Sequence, residues 1–142
     1  MAEKVLLIDD EKDFVEALAE RMKTRGMNVT TTTSAPEALK KLEAEAFDAI
    51  VLDIHMPGMD GLQTLEAIKK KNSDLQVVLL TGHATVEKGI EAMKLGAMDL
   101  LEKPADLEII IGKIKKARAK KMILVEKKTE EKIKNIITTK GW

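Results

Sequence analysis

Five short apolar runs, each closing on polar residues and each followed by a stretch of helical spacing, restrict this chain more than any other feature. The third is the clearest. Phe47 to Leu52 is mostly apolar, ends on the carboxylate of Asp53, and enters a loop punctuated by Pro57, Gly58 and Gly61. A run of this length and character reads as a strand buried on both faces. Val5 to Ile8 is a similar run, delivered straight into Asp9-Asp10-Glu11. Met27 to Thr32 is weaker, alternating and β-branched, and is expected at a sheet edge. Gln76 to Leu80 ends on Thr81-Gly82-His83, and Met98 to Glu102 ends on Lys103-Pro104.

Helices are predicted between these runs. Phe14, Val15, Leu18 and Met22 mark the first, with Gly26 placed to stop it. Ser34-Ala35-Pro36-Glu37 reads as a capping box with an early proline, opening a second through Ala38, Leu39 and Leu42. Leu62, Leu65 and Ile68 mark a third, and Val86, Ile90 and Met93, before Gly96, a fourth. Asp106 is placed to cap a last helix with Leu107, Ile110, Ile111 and Ile114 as its core stripe.

Strict βα alternation predicts a parallel sheet with helices on both faces. Such a sheet gathers all its strand C-termini on one edge, where ligands bind in open α/β folds. That edge would carry Asp9, Asp10, Asp53, Thr81 and Lys103, far apart in sequence. Singly, each is an ordinary turn former or solvated charge. Four strand ends delivering polar chemistry together are not. Clustered carboxylates repel one another unless a cation intervenes. An oxygen-rich set without Cys suits a hard ion such as Mg²⁺. With such an ion in place Asp53 would be a usable nucleophile toward a phosphoryl group, and Thr81 and Lys103 are donors for its oxygens.

Composition excludes several alternatives. The 24 basic and 24 acidic side chains cancel, so no net field draws nucleic acid or an anionic membrane. Cysteine is absent, which removes disulfides and thiolate metal sites. Four apolar residues after Lys4 are too few for a signal peptide or a membrane span, so a cytoplasmic protein is expected. Two Phe and one Trp give little to stack against bases or a flavin, and a flavin carrier has no use for Lys103. An aspartyl-phosphate hydrolase would want a second acid two residues after Asp53, where His55 stands.

The motifs Ile8-Asp9-Asp10-Glu11, Leu52-Asp53-Ile54-His55-Met56-Pro57-Gly58-Met59-Asp60-Gly61, Leu80-Thr81-Gly82 and Glu102-Lys103-Pro104 lie in family order and spacing. On them the chain, from about Lys4 to Ala119, resembles the response regulator receiver domain of bacterial two-component signalling. The resemblance implies a flavodoxin-like (βα)5 doubly wound parallel sheet of order 2-1-3-4-5. It implies that Asp53 accepts a phosphoryl group from a histidine kinase or phosphotransfer protein. Asp10, Asp53 and the main-chain carbonyl of His55 would ligate Mg²⁺, with Asp9 acting through water, and Thr81 and Lys103 would bind the phosphoryl oxygens. Such a domain catalyses its own phosphorylation and dephosphorylation but is mainly a signalling protein. His55 and His83, two residues after Asp53 and Thr81, are expected at the mouth of the pocket, where they would tune the access of water to the acyl phosphate. One departure stands out: the family usually has Tyr or Phe three residues before the lysine, and here that position is Leu100.

Beyond the resemblance, Lys115 to Lys121 is basic, Met122 to Val125 apolar, Glu126 to Lys132 charged, and Ile133, Ile136 and Ile137 apolar again. A heptad register through Leu107, Ile110, Ile114 and Ala117 meets Lys121 and Lys128. One through Ile111, Ile114 and Val125 meets Arg118, Lys121 and Lys128, so neither sustains a coiled coil. The expectation is a receiver domain over 1–119 and a helical C-terminal extension over 120–142, the extension including a separate or docked helix that ends near Gly141. No separate output domain is expected. The chain would then be a stand-alone phosphoacceptor signalling to an unknown downstream protein through its switch surface. A homodimer through the helix 4–strand 5–helix 5 face or through the tail is open to it. The alternative is the receiver fragment of a larger DNA-binding transcriptional regulator.

Overall fold

The computed structural model describes residues 2–54, 60–82 and 84–139. Its elements alternate without exception: β1 (Lys4–Ile8), α1 (Lys12–Thr24), β2 (Asn28–Thr32), α2 (Ala35–Ala44), β3 (Ala49–Asp53), α3 (Gly61–Lys71), β4 (Val77–Thr81), α4 (Val86–Lys94), β5 (Asp99–Glu102) and α5 (Leu107–Thr139). The five strands form one parallel sheet in the order β2-β1-β3-β4-β5. The flavodoxin-like order expected from the motifs is therefore the observed one, and β2 is an edge.

The pleat divides the core. Leu6, Ile8, Ile50, Leu52, Val77 and Leu79 face α2, α3 and α4, while Val5, Leu7, Ala49, Val51 and Leu80 face α1 and α5. All five residues of β3 and all five of β4 are buried, which explains why each is apolar up to its last residue. Helix ends follow local chemistry. Gly26 and Gly96 take φ of +84° and +96°, the left-handed conformation that closes α1 and α4. Ser34 Oγ accepts the Glu37 N–H at 3.3 Å, the N-cap half of the box expected there. The reciprocated box lies at α3, between Asp60 and Gln63.

Two regions differ from what spacing alone suggests. Val86, Ile90 and Met93 do mark α4, but they face outward, 80%, 52% and 53% exposed, and the buried residue of that helix is Ala92. The C-terminal segment is a single helix from Leu107 to Thr139, passing residues 119 and 120 without a break. Among the described residues the expected second helix is not separate, because nothing interrupts the first. No Gly or Pro lies between Gly112 and Gly141, and the intervening Lys and Glu are good helix formers, with Glu130 four residues before Lys134. Ile110, Ile114 and Ala117 hold the first half of α5 on the sheet. Farther along the same line Lys121 Nζ donates to the Phe47 carbonyl at 2.8 Å, and Lys128 pairs with Asp74. Met122, Ile123, Val125, Ile133, Ile136 and Ile137 remain exposed. No helix among the described residues is long and apolar enough to cross a membrane.

At the end of β2 the Thr32 hydroxyl is buried without a hydrogen-bond partner among the described residues. A hydroxyl removed from water and left unpaired is costly, whereas a methyl in the same place is not. Thr32→Val should therefore raise stability by about 1 kcal/mol, read from chemical denaturation. A loss of stability would show that the hydroxyl is satisfied.

Candidate functional site

The register of the sheet builds the site. Ile8 pairs with Leu52, Asp53 with Leu80, and Thr81 with Glu102, so β1, β3, β4 and β5 end nearly level. Asp9 follows β1 directly, and its Oδ1 accepts the Glu11 N–H at 2.9 Å, which turns the carboxylate back over the sheet edge. Asp53 is the last residue of β3 and Thr81 the last of β4. All three are buried. Asp10 is exposed, yet it offers an oxygen to the same point: one carboxylate oxygen each from Asp9, Asp10 and Asp53 lie within 4.8 Å of one another.

Lys103 enters from β5. Its N–H donates to the Thr81 carbonyl at 2.6 Å, tying the ends of β4 and β5 together. Its Nζ donates to Asp9 Oδ2 at 2.8 Å and stands 3.9 Å from Asp53 Oδ2 and 3.5 Å from Glu11 Oε1. The ammonium also lies over the Phe14 ring, 4.2 Å from its centroid. Desolvation works against the charged lysine. The hydrogen bond and charge of Asp9, with the charges of Asp53 and Glu11, outweigh it and hold the amine above its ordinary value.

Gly61, the first residue of α3, lies directly against the end of β3. Its N–H donates to the Ile54 carbonyl at 2.5 Å, and a Cβ there would run into the Ile54 backbone and come within 2.5 Å of the Asp53 carbonyl. Close approach of backbone to backbone is what requires glycine here. Glu102, the last residue of β5, accepts the Ala84 N–H at 3.1 Å.

The structure thus brings together Asp9, Asp10, Asp53 and Lys103, and sets Thr81 at the end of the strand beside Asp53. His55 and His83 lie outside the described residues. Glu11 and Phe14 were not singled out from the sequence as site residues. Glu11 is one acid in an acidic run and Phe14 one member of a core stripe, so no spacing signal set either apart.

Among the described residues the Lys103 ammonium meets the carboxylates of Asp9, Glu11 and Asp53, and Asp10 adds a fourth acid, an excess of negative charge suited to a divalent cation. The donor set around the gap is all oxygen, as Mg²⁺ prefers. Asp9, Asp10 and Asp53 therefore fit that ion.

A flavodoxin-like sheet with an acidic, lysine-bridged pocket at its C-terminal edge is the arrangement expected of a receiver domain, and comparison with known proteins agrees. The family model described as "Response regulator receiver domain" matches residues 5–115. The chain belongs to that family. It is 33% identical over 128 residues to the C4-dicarboxylate transport transcriptional regulatory protein DctD of Rhizobium meliloti (strain 1021), covering 90% of this chain and 28% of that protein. It is 39% identical over 111 residues to the response regulator protein FleR of Pseudomonas aeruginosa, covering 78% and 24%. The chain thus spans about a quarter of the length of these curated relatives. Among solved structures, a CheY-like response regulator receiver domain protein from Methanospirillum hungatei JF-1 superposes with a TM-score of 0.81 at 25% identity, over 86% of this chain and 98% of that one. NtrX from Brucella abortus gives 0.82 at 31% identity, over 91% and 29%.

The raised lysine value fixes the sign of a pH effect. Its stabilisation is fully present below the ordinary lysine value and is lost as pH rises through the higher folded value. Lys103→Met, melted in chelator at neutral pH, should lose about 1–3 kcal/mol, because buried acids lose their counter-ion. The deficit should shrink at strongly alkaline pH, and added Mg²⁺ should stabilise the variant more than the wild type. Equal melting of the two proteins in chelator would contradict this charge balance.

Proposed function

We propose that the chain is the phosphoacceptor of a two-component relay, taking a phosphoryl group on Asp53 from a phosphohistidine of a histidine kinase or phosphotransfer protein. The observation that carries this reading is the placement of a buried strand-end carboxylate within 3.9 Å of a lysine ammonium and beside two further acids. An Asp53 carboxylate oxygen attacks phosphorus in line. The P–O bond forms as the P–N bond breaks, and the electron pair leaves with the imidazole nitrogen, which is left neutral by the protonation of its ring. The product is an acyl phosphate. Lys103 swings from Asp9 to a phosphoryl oxygen, and the Thr81 hydroxyl donates to another. When bound by Asp9, Asp10 and Asp53, with the His55 carbonyl, Mg²⁺ supplies the charge that lets a phosphate approach three acids.

Incubated with Mg²⁺ and acetyl phosphate, the protein should gain one phosphoryl group, and Asp53→Asn should gain none. Chelation should abolish the labelling of wild type. An Asp53→Asn variant that labels normally would end the reading.

Output runs through protein contacts in this proposal. Leu100 fills the position usually held by an aromatic ring and packs inward among the α3 and α4 residues, 3.6 Å from where a Cβ on Gly89 would stand. The switch there would be a leucine repacking beneath the exposed face of α4, a motion between two packed arrangements. The exposed apolar side chains of the extension would be covered by a second copy of the chain. Ile133→Lys combined with Ile136→Lys should then lower the mass seen by sedimentation without changing the fold. Identical sedimentation would leave α4 and its neighbours as the surface for contact.

A second reading has its own support. The alignment with DctD runs over 128 residues, into the extension, and DctD is named a transcriptional regulatory protein. On that reading the chain is the receiver of a DNA-binding regulator and α5 is its connector. The codons following Trp142 separate the two readings: a stop favours the stand-alone module, an open frame the regulator.

A further inference from the structure

We propose that Phe14 is a positioning residue for phosphoryl transfer, its ring face fixing the Lys103 ammonium within a short shift of Asp53. The inference rests on the phosphoacceptor reading of Asp53 and adds a residue that reading does not use. Four contacts define where the ammonium stands: a hydrogen bond to Asp9 at 2.8 Å, the Glu11 carboxylate at 3.5 Å, the Asp53 carboxylate at 3.9 Å, and the Phe14 ring at 4.2 Å. The three acids attract the ammonium as charges. The ring adds a contact that carries no charge, and the lysine side chain is only 13% exposed.

Lysine has four rotatable bonds and ordinarily holds no single geometry, so a bond to one acid leaves it many arrangements. An aromatic face attracts a cation without offering it a lone pair. It can thus hold the ammonium in place and still release it toward a phosphoryl oxygen at little cost, which a fourth carboxylate in the same position could not do. Position on α1 explains why this side chain reaches the site. Phe14 sits one turn into a helix that starts beside Asp9 and Asp10, on the face turned toward the sheet and α5. With neither Tyr nor Phe at Leu100, it is the aromatic residue that contacts the site among those described.

The same ring lines a groove of about 260 Å³ between α1 and the start of α5, with Leu18, Pro104, Leu107 and Ile110. Its loss could therefore act on a docked protein rather than on the lysine. Acetyl phosphate removes that ambiguity, because it needs no docking surface.

The test compares wild type, Phe14→Leu and Phe14→Tyr, each also in a Lys103→Met background. With acetyl phosphate and Mg²⁺, Phe14→Leu should label about three- to tenfold more slowly, whereas Phe14→Tyr, which keeps the π face, should stay within about twofold. In the Lys103→Met background the Phe14→Leu change should have no further effect. A second readout is independent of phosphorylation: proton NMR of the full chain should show the Lys103 side-chain methylenes shifted upfield by the ring, and Phe14→Leu should abolish the shift. Wild-type labelling in Phe14→Leu, equal slowing by Phe14→Tyr, or the same slowing with and without Lys103 would overturn the proposal. Failure of the wild type to label, or labelling of Asp53→Asn, would instead bring down the phosphoacceptor reading while the upfield shift still reported the contact.

Discussion

Carboxylates buried at the end of a sheet must be compensated, and much of this molecule is arranged around that need. Asp9 and Asp53 are almost wholly removed from water, and an isolated ionised carboxylate in such a place is prohibitively costly. Among the described residues the cost is met by the Lys103 ammonium and by backbone donors such as the Glu11 N–H. Because Lys103 comes from β5, the strand farthest from β1 on that side of the sheet, its bond to Asp9 spans β3 and β4. The pairings that bring β1, β3, β4 and β5 to a common level are the precondition for that bond. A slip of one residue in any of them would turn the site side chains to the other face.

Among the described residues the acids outnumber the ammonium, and on the proposed function this leaves the site open to chemistry. A fully neutralised cluster would be a buried ion-pair network with no use for a metal or a phosphate. Here the acids outnumber the cation, so the resting state keeps an affinity for positive charge. Lys103 is held by partners it can exchange. Its links to Asp9 and to the Phe14 ring are non-covalent and reversible, and on the proposed function a phosphoryl oxygen would take their place.

Much of this was legible in the sequence because the signals are local and redundant. Strands buried on both faces read as apolar runs, and Gly26 and Gly96 announce helix ends that the backbone then takes with positive φ. The convergence of Asp9, Asp53, Thr81 and Lys103 followed from topology, since parallel strands bring their ends together whatever their spacing. Direction on a surface helix was harder to read. Val86, Ile90 and Met93 have the spacing of a buried stripe, but which arc of α4 meets the sheet is set by Ala92 and the close packing it permits. The continuity of α5 was missed for a similar reason: a change from apolar to charged residues alters what a helix touches without ending it. The ring under Lys103 could not be read at all, because a residue that serves the core stripe of α1 carries no mark of a second contact.

The unbroken α5 has a mechanical consequence. It starts four residues after Lys103, and at 1.5 Å per residue its 33 residues extend roughly 50 Å. Ile110, Ile114 and Ala117 anchor its first turns on the sheet, so it can work as a lever only beyond that anchorage: a tilt of about 5° past Ala117 carries the far end, roughly 33 Å on, about 3 Å. On the proposed function, small rearrangements around a phosphoryl group would become displacements of that size at the distal isoleucines. The bonds from Lys121 to Phe47 and from Lys128 to Asp74 brace the shaft, and how readily they yield sets how far it swings.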